Sequence, residues 1–136
     1  MGHTRVRVKI QNVFDWGAAQ DKKERRIRTI TIPNALVDTG ATYLSLPTRY
    51  IRKLGLRPLG RTVPVTTAVG VVEKPLYAGA MLTIEDRTAE FSVLELPDKT
   101  PALVGVLVLE ALDYMVDPTT EKLVGKHGKK QVILLY

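Results

Sequence analysis

The stretch Ala35-Leu36-Val37-Asp38-Thr39-Gly40-Ala41-Thr42 constrains this 136-residue chain more than any other. An apolar run of β-forming residues stops abruptly at an acid, a hydroxyl and a glycine. Leu36 and Val37 suit a buried strand, so Asp38 is expected at the end of that strand with rigid neighbours behind it. Gly40 lacks a Cβ and permits a tight turn with close approach of a second backbone. Thr39 adds a hydroxyl that can hydrogen-bond across such a turn. Tyr43-Leu44-Ser45-Leu46 alternates and meets Pro47, which predicts a second short strand. The expectation is a carboxylate on a fixed loop between two core strands.

Composition narrows the chemistry open to that carboxylate. The length predicts one domain over residues 1–136, large enough for a proper core. Hydrophobic residues at 45% and charged residues at 25% mark a globular chain, not a disordered one. Val and Ile are frequent and helical periodicity is scarce, which predicts a mostly β fold. Cysteine is absent, which removes disulfides, thiol nucleophiles and cysteine metal sites and fits a cytoplasmic setting. His3 and His127 have no ligand-like spacing, so neither a metal centre nor a Ser-His-Asp triad is expected. No metal and no cofactor is called for, and carboxylate chemistry is what remains.

No apolar run approaches the roughly 18 residues of a membrane span, and no membrane partner is expected. The Met1-Gly2 start has no apolar region of a secretory signal behind it. Val6 also stands where N-myristoylation wants Ser or Thr. The net charge of +6 collects in Lys22-Lys23-Glu24-Arg25-Arg26-Ile27-Arg28 and Lys126-His127-Gly128-Lys129-Lys130. These read either as solvated loops that keep the protein soluble or as a patch for phosphate backbones. The lack of interleaved aromatics for base stacking argues against a nucleic-acid partner.

Along the chain, Thr4 to Ile10 alternates, with Val6, Val8 and Ile10 facing inward. Asn12 to Lys23 mixes Asp, Gly and Ala around the one Trp and reads as a mobile loop. Arg26 to Ile32 alternates again, and Pro33 is expected to close that strand. Thr48 can cap a short helix that ends at Gly55. Arg61 to Thr67 reads as a strand that Pro64 confines to an edge or a bulge. Ala68-Val69-Gly70-Val71 is a hairpin tip, with Val72 to Ala78 returning. Ala80–Ile84 and Ala89–Leu94 form a further hairpin around Glu85-Asp86-Arg87. Leu103-Val104-Gly105 precedes a short buried helix over Val106 to Leu112, and Tyr114–Val116 pairs with Leu123–Val124. Gln131 to Tyr136 reads either as a buried strand or as an apolar edge that invites pairing with another chain.

The sequence Leu-Val-Asp-Thr-Gly-Ala-Thr resembles the active-site motif of the aspartic proteases, and Asp-Thr-Gly-Ala is the form common in their retroviral-type, retropepsin-like members. The order of features supports the resemblance from Ile27 to Val124. Thr67-Ala68-Val69-Gly70-Val71 occupies the place of the family's flap, and Leu103-Val104-Gly105 that of its hydrophobic-hydrophobic-Gly element. Two departures stand out: the tip has only Gly70, and Val106-Leu107 replaces the polar residue that often follows the second element. The resemblance implies a retropepsin-like closed β-barrel with a flap hairpin and one or two short helices, acting as a symmetric homodimer.

It further implies an aspartic endopeptidase acting on extended peptide or protein substrates. Catalysis falls to Asp38, Thr39 and Gly40, and substrate binding to Ala41, Thr67, Ala68, Val69, Gly70 and Val71. Hydrolysis without metal or nucleophile needs one group to deprotonate water and another to protonate the carbonyl oxygen. Two carboxyls sharing one proton do both. The chain has one Asp-Thr-Gly, and Asp15-Trp16-Gly17 lacks the hydroxyl and the apolar approach. The second acid must then come from Asp38 of another copy. Two other readings stay open: a weak or inactive member kept as a dimerisation or peptide-binding module, and a basic β-barrel that binds nucleic acid.

Overall fold

A computed structural model describes residues 3–22 and 25–135, so Met1-Gly2, Lys23-Glu24 and Tyr136 lie outside the described residues. Half of the chain is strand. Nine strands and three helices follow one another among the described residues as β1 (Thr4–Asn12), α1 (Val13–Asp21), β2 (Thr29–Val37), β3 (Leu44–Pro47), α2 (Thr48–Leu54), β4 (Arg57–Thr67), β5 (Gly70–Ile84), β6 (Arg87–Leu96), β7 (Leu103–Val104), α3 (Val106–Leu112), β8 (Tyr114–Val116) and β9 (Leu123–Gly125). Seven strands form one sheet in the order β1-β2-β7-β3-β6-β5-β4, and β1 also pairs with β5. The pairings among six strands therefore run full circle, and β4 hangs outside that circuit.

The alternation read in the sequence sets the inside of this sheet. Val8 and Ile10 of β1, Ile30 and Ile32 of β2, and Leu82 and Ile84 of β5 are all buried. They meet Leu44 and Leu46 from β3, Val93 from β6 and Val104 from β7 in one continuous core. The short α3 closes it, burying Val108, Leu109 and Leu112, each side chain contributing roughly 1.5–3 kcal/mol. α2 buries Ile51 and Leu54.

Several expectations fail for identifiable reasons. The segment read as a mobile loop contains α1, which raises the helix count to three. Its apolar residues have no helical period, so it is held by polar contacts that sequence order hides. Asn12 caps it by accepting the Asp15 N–H at 2.9 Å, and donates its side-chain amide to Leu54 O at 2.8 Å. Asp15 receives Arg28 Nε at 2.7 Å, Nη2 at 2.9 Å and the backbone N–H at 3.0 Å. The Arg28 guanidinium holds the Asp15 carboxyl down to about 2. Phe14 lies against Gly79, whose φ is +105° and where a Cβ would stand 2.6 Å from the ring. That glycine marks the register shift between Tyr77 and Ala80 at which β5 changes course.

Pro33 does not close β2. The register against β1 passes from Val6↔Ala35 to Val8↔Ile32, so an extra residue bulges out at the proline and the strand runs on to Val37. Thr48 is inside α2 and does not cap it, donating instead to Glu95 Oε2 at 2.8 Å. Asp98 takes the capping role from outside the helix, accepting the Arg49 N–H at 2.7 Å. The buried-strand reading of Gln131 to Tyr136 fails too: residues 131–135 are irregular, with Ile133, Leu134 and Leu135 at 77%, 70% and 92% exposure.

Candidate active site

Asp38 follows directly on β2, and the apolar run behind it does what its composition suggests. Ala35 and Val37 are buried, and Leu36↔Leu103 and Val37↔Val104 pair in parallel with β7. Asp38 is half-buried at the strand's end, while Thr39 and Gly40 are exposed. The turn closes on itself. Asp38 Oδ1 accepts the Gly40 N–H at 2.9 Å, and Asp38 O accepts the Ala41 N–H at 3.1 Å. One carboxylate oxygen is therefore fixed by the loop's own backbone.

The second hold on this loop comes from the distant 102–107 segment. Leu36 donates its N–H to Ala102 O at 2.9 Å and Asp38 donates to Val104 O at 3.0 Å. Past Gly105 the direction reverses, with Val106 donating to Ala41 O at 2.8 Å and Leu107 to Thr42 O at 3.0 Å. Four main-chain bonds thus clamp both arms of the Asp38 turn. The clamp requires contact between two backbones at Gly105, where a Cβ would stand 2.4 Å from Tyr43 O and 2.7 Å from Thr42 C and O. Leu103-Val104-Gly105 was legible in the sequence as an element. Ala102, Val106 and Leu107 were not, because their contribution is main-chain and leaves no side-chain signal beyond the glycine.

The remaining predicted residues sit on the β4–β5 hairpin, which is the sheet's free margin. Thr66↔Val71 and Thr67↔Gly70 pair up to a turn at Ala68-Val69. Thr67 Oγ1 donates to Gly70 O at 2.8 Å and accepts the Val69 N–H at 3.3 Å, tying the tip. Val69 and Val71 are exposed at 91% and 67%. The structure thus divides the predicted residues into two groups, Asp38 to Ala41 on the clamped turn and Thr67 to Val71 on the hairpin tip. The basic clusters are partly structural: Arg28 is committed to Asp15, and His127 Nδ1 lies 2.6 Å from Asp113 Oδ1. Among the described residues no group of three or more His, Cys, Asp or Glu is placed to hold a metal ion. No helix among them is long and apolar enough to cross a membrane.

Comparison with known proteins bears on the fold and the family. The chain is similar in fold to EIAV protease complexed with the inhibitor HBY-793, at 19% identity and a TM-score of 0.50, over 80% of this chain and 86% of that one. No curated protein matches the sequence. Residues 27–111, from the strand before Asp38 to the end of α3, match the family described as "gag-polyprotein putative aspartyl protease". The chain belongs to that retroviral-type aspartyl protease family.

Proposed function

We propose that the protein is an aspartic endopeptidase that works as a symmetric homodimer, with Asp38 and its mate as the catalytic pair. The observation that carries this reading is the clamped turn: one oxygen of Asp38 is held by Gly40 N–H while main-chain bonds fix both arms of the loop. This chain carries one Asp-Thr-Gly, so the second acid would come from a second copy by symmetry. Thr39 is exposed at the turn, suited to lock the two loops together, and Gly40 lets them meet.

In this reading one carboxylate takes a proton from water as the water oxygen attacks the scissile carbonyl carbon. The other carboxyl gives its proton to the carbonyl oxygen. Collapse of the tetrahedral species breaks the C–N bond: the amine nitrogen takes one proton from the pair while a hydroxyl of the tetrahedral species returns one to it, leaving the product acid and the pair with its single proton. Two like charges about 3 Å apart cannot both ionise comfortably, which keeps one proton in the site. Substrate would lie extended under the β4–β5 tip and hydrogen-bond to it as an added strand. Ala41 and the exposed Val69 and Val71 offer apolar contact, so cleavage between apolar side chains is expected, in a cytoplasmic setting.

Asp38→Asn is the test, since Asn is nearly isosteric and cannot titrate. Incubated with casein, the wild type is expected to cleave and the variant to lose cleavage while keeping its fold and association state. Equal cleavage by the purified variant would refute the assignment, and no cleavage by the wild type would favour a binding module.

A further inference from the structure

Leu36 and the residues beside it in the sheet share a face that the central core does not use. Val37 belongs to that core, so Leu36 and Asp38 on either side of it point the other way, because a strand's side chains alternate. In register, Leu36 stands beside Leu103, Leu103 beside Ser45, Ser45 beside Leu94, and Leu94 beside Leu76. Leu94 and Leu76 are buried, yet both lie outside the central core cluster. Ser45 is buried with them, while Leu36 and Leu103, nearest to Asp38, are half-buried. A mostly apolar row thus crosses the sheet from the catalytic strand to β5.

The row continues onto the β4–β5 hairpin. Leu76, Lys74 and Val72 follow at two-residue intervals on β5 and so share the same face. Opposite them on β4, Val63 pairs with Lys74 and Val65 with Val72. These hairpin residues are half-buried, whereas Pro64 and Glu73 between them are exposed. The hairpin therefore has an outward face and a sheltered one, and the sheltered face is continuous with the row that leads to Asp38. Lys74 is the single cation along it. Its neighbour Glu73 points outward and accepts from Thr62 Oγ1 at 3.4 Å. Among the described residues Lys74 enters no ion pair.

We propose that Lys74 is a specificity-determining residue, selecting extended peptides that carry an Asp or Glu at one position outside the apolar pair that is cut. The inference rests on the endopeptidase reading above and names the charge of the substrate that site takes. A peptide added to the hairpin as a strand sends alternate side chains towards this face. Those nearest Asp38 meet Leu36 and Leu103, and one closer to the hairpin meets Lys74. A half-sheltered ammonium among apolar neighbours is poorly compensated while it lacks a carboxylate. An acidic side chain of the peptide supplies one through a charge-assisted hydrogen bond. A neutral side chain leaves the ammonium unpaired and a basic one adds repulsion, so the same residue both attracts and rejects.

The probe is a set of peptides with one apolar scissile pair and Glu, Gln or Lys placed in turn at each flanking position. With the full wild-type chain, Glu at one position is expected to raise kcat/KM about tenfold over Gln, mainly through KM, and Lys to lower it below Gln. Lys74→Met, of similar length and uncharged, is expected to bring the Glu-to-Gln ratio to about one, and Lys74→Glu to favour the Lys peptide. Glu73→Gln, on the outward face, should keep the wild-type ratio. Binding of the same peptides to Asp38→Asn, followed by fluorescence anisotropy, reads the charge preference without cleavage. Equal rates and affinities for Glu and Gln at every position, an undiminished Glu preference in Lys74→Met, or its loss in Glu73→Gln would overturn the proposal and leave the endopeptidase reading standing. A wild type that cleaves none of the peptides, while Asp38→Asn binds the Glu peptide more tightly than the Gln peptide, would overturn the endopeptidase reading and support the role of Lys74. Absence of both cleavage and binding would overturn the two together.

Discussion

Gly105→Ala tests the clamp on Asp38 directly. The new methyl would stand 2.4 Å from Tyr43 O, whereas ordinary contact begins at 3.4 Å. The atoms in the way are backbone, so about 1 Å of relative movement between the 41–43 and 104–107 segments is needed. The bonds Val106 N–H to Ala41 O and Leu107 N–H to Thr42 O, now 2.8 and 3.0 Å, cannot survive that displacement within hydrogen-bonding range. Losing two of them costs roughly 1–3 kcal/mol, and the strain of overpacking adds roughly 1–3 kcal/mol. The combined loss is about 2–6 kcal/mol, a large share of a domain's stability. Where the variant still folds, a misplacement near 1 Å is expected to cost on the order of 100-fold in kcat/KM. Urea unfolding and peptide-cleavage kinetics measure the two effects. Gly17→Ala serves as the control: nothing lies within 4 Å of a Cβ in that helix, so it should stabilise by about 0.5–1 kcal/mol. A Gly105→Ala protein with wild-type stability and kinetics would refute the clamp.

The Asp15–Arg28 pair sets an acid-sensitive component of stability. Because folding depresses the Asp15 value to about 2, its contribution is complete above the unfolded carboxyl's value of 3.8 and is lost as pH falls towards the folded value. Arg28 is half exposed, and screening reduces the effect to on the order of 1 kcal/mol. Urea midpoints in Asp15→Asn should lack the part of the fall between about pH 4 and pH 2 that the wild type owes to this group; parallel profiles would contradict the assignment. At the hairpin tip, Thr67→Ala removes the tie to Gly70 and Val69. It should raise KM a few-fold, for a loss of roughly 1 kcal/mol in ordering the tip, with little change in thermal midpoint. An unaltered KM in steady-state assays would remove Thr67 from the binding surface.

The sequence by itself determined the elements whose signal is local. Strict alternation in Arg5-Val6-Arg7-Val8-Lys9-Ile10 announces β1, because a strand's faces repeat every two residues. Leu36-Val37 before Asp38-Thr39-Gly40 announces a buried strand delivering an acid to a turn. Thr67 to Val71 announces the hairpin tip, and Leu103-Val104-Gly105 an apolar element that precedes a short helix. Tertiary structure alone decided what depends on partners distant in sequence. α1 has no apolar period and exists through Asn12 and through Asp15 meeting Arg28 thirteen residues later. β2 passes through Pro33 because a bulge against β1 absorbs it. His127 carries no motif in the sequence, yet folding brings it to Asp113 at 2.6 Å. The apolar run 132–135, which the sequence leaves open as either a buried strand or a pairing edge, stays exposed because no strand of the described chain pairs with it. Pattern shows which face of a segment is apolar; what covers that face is a fact of assembly, set by which backbone groups are still unpaired once the sheet has formed.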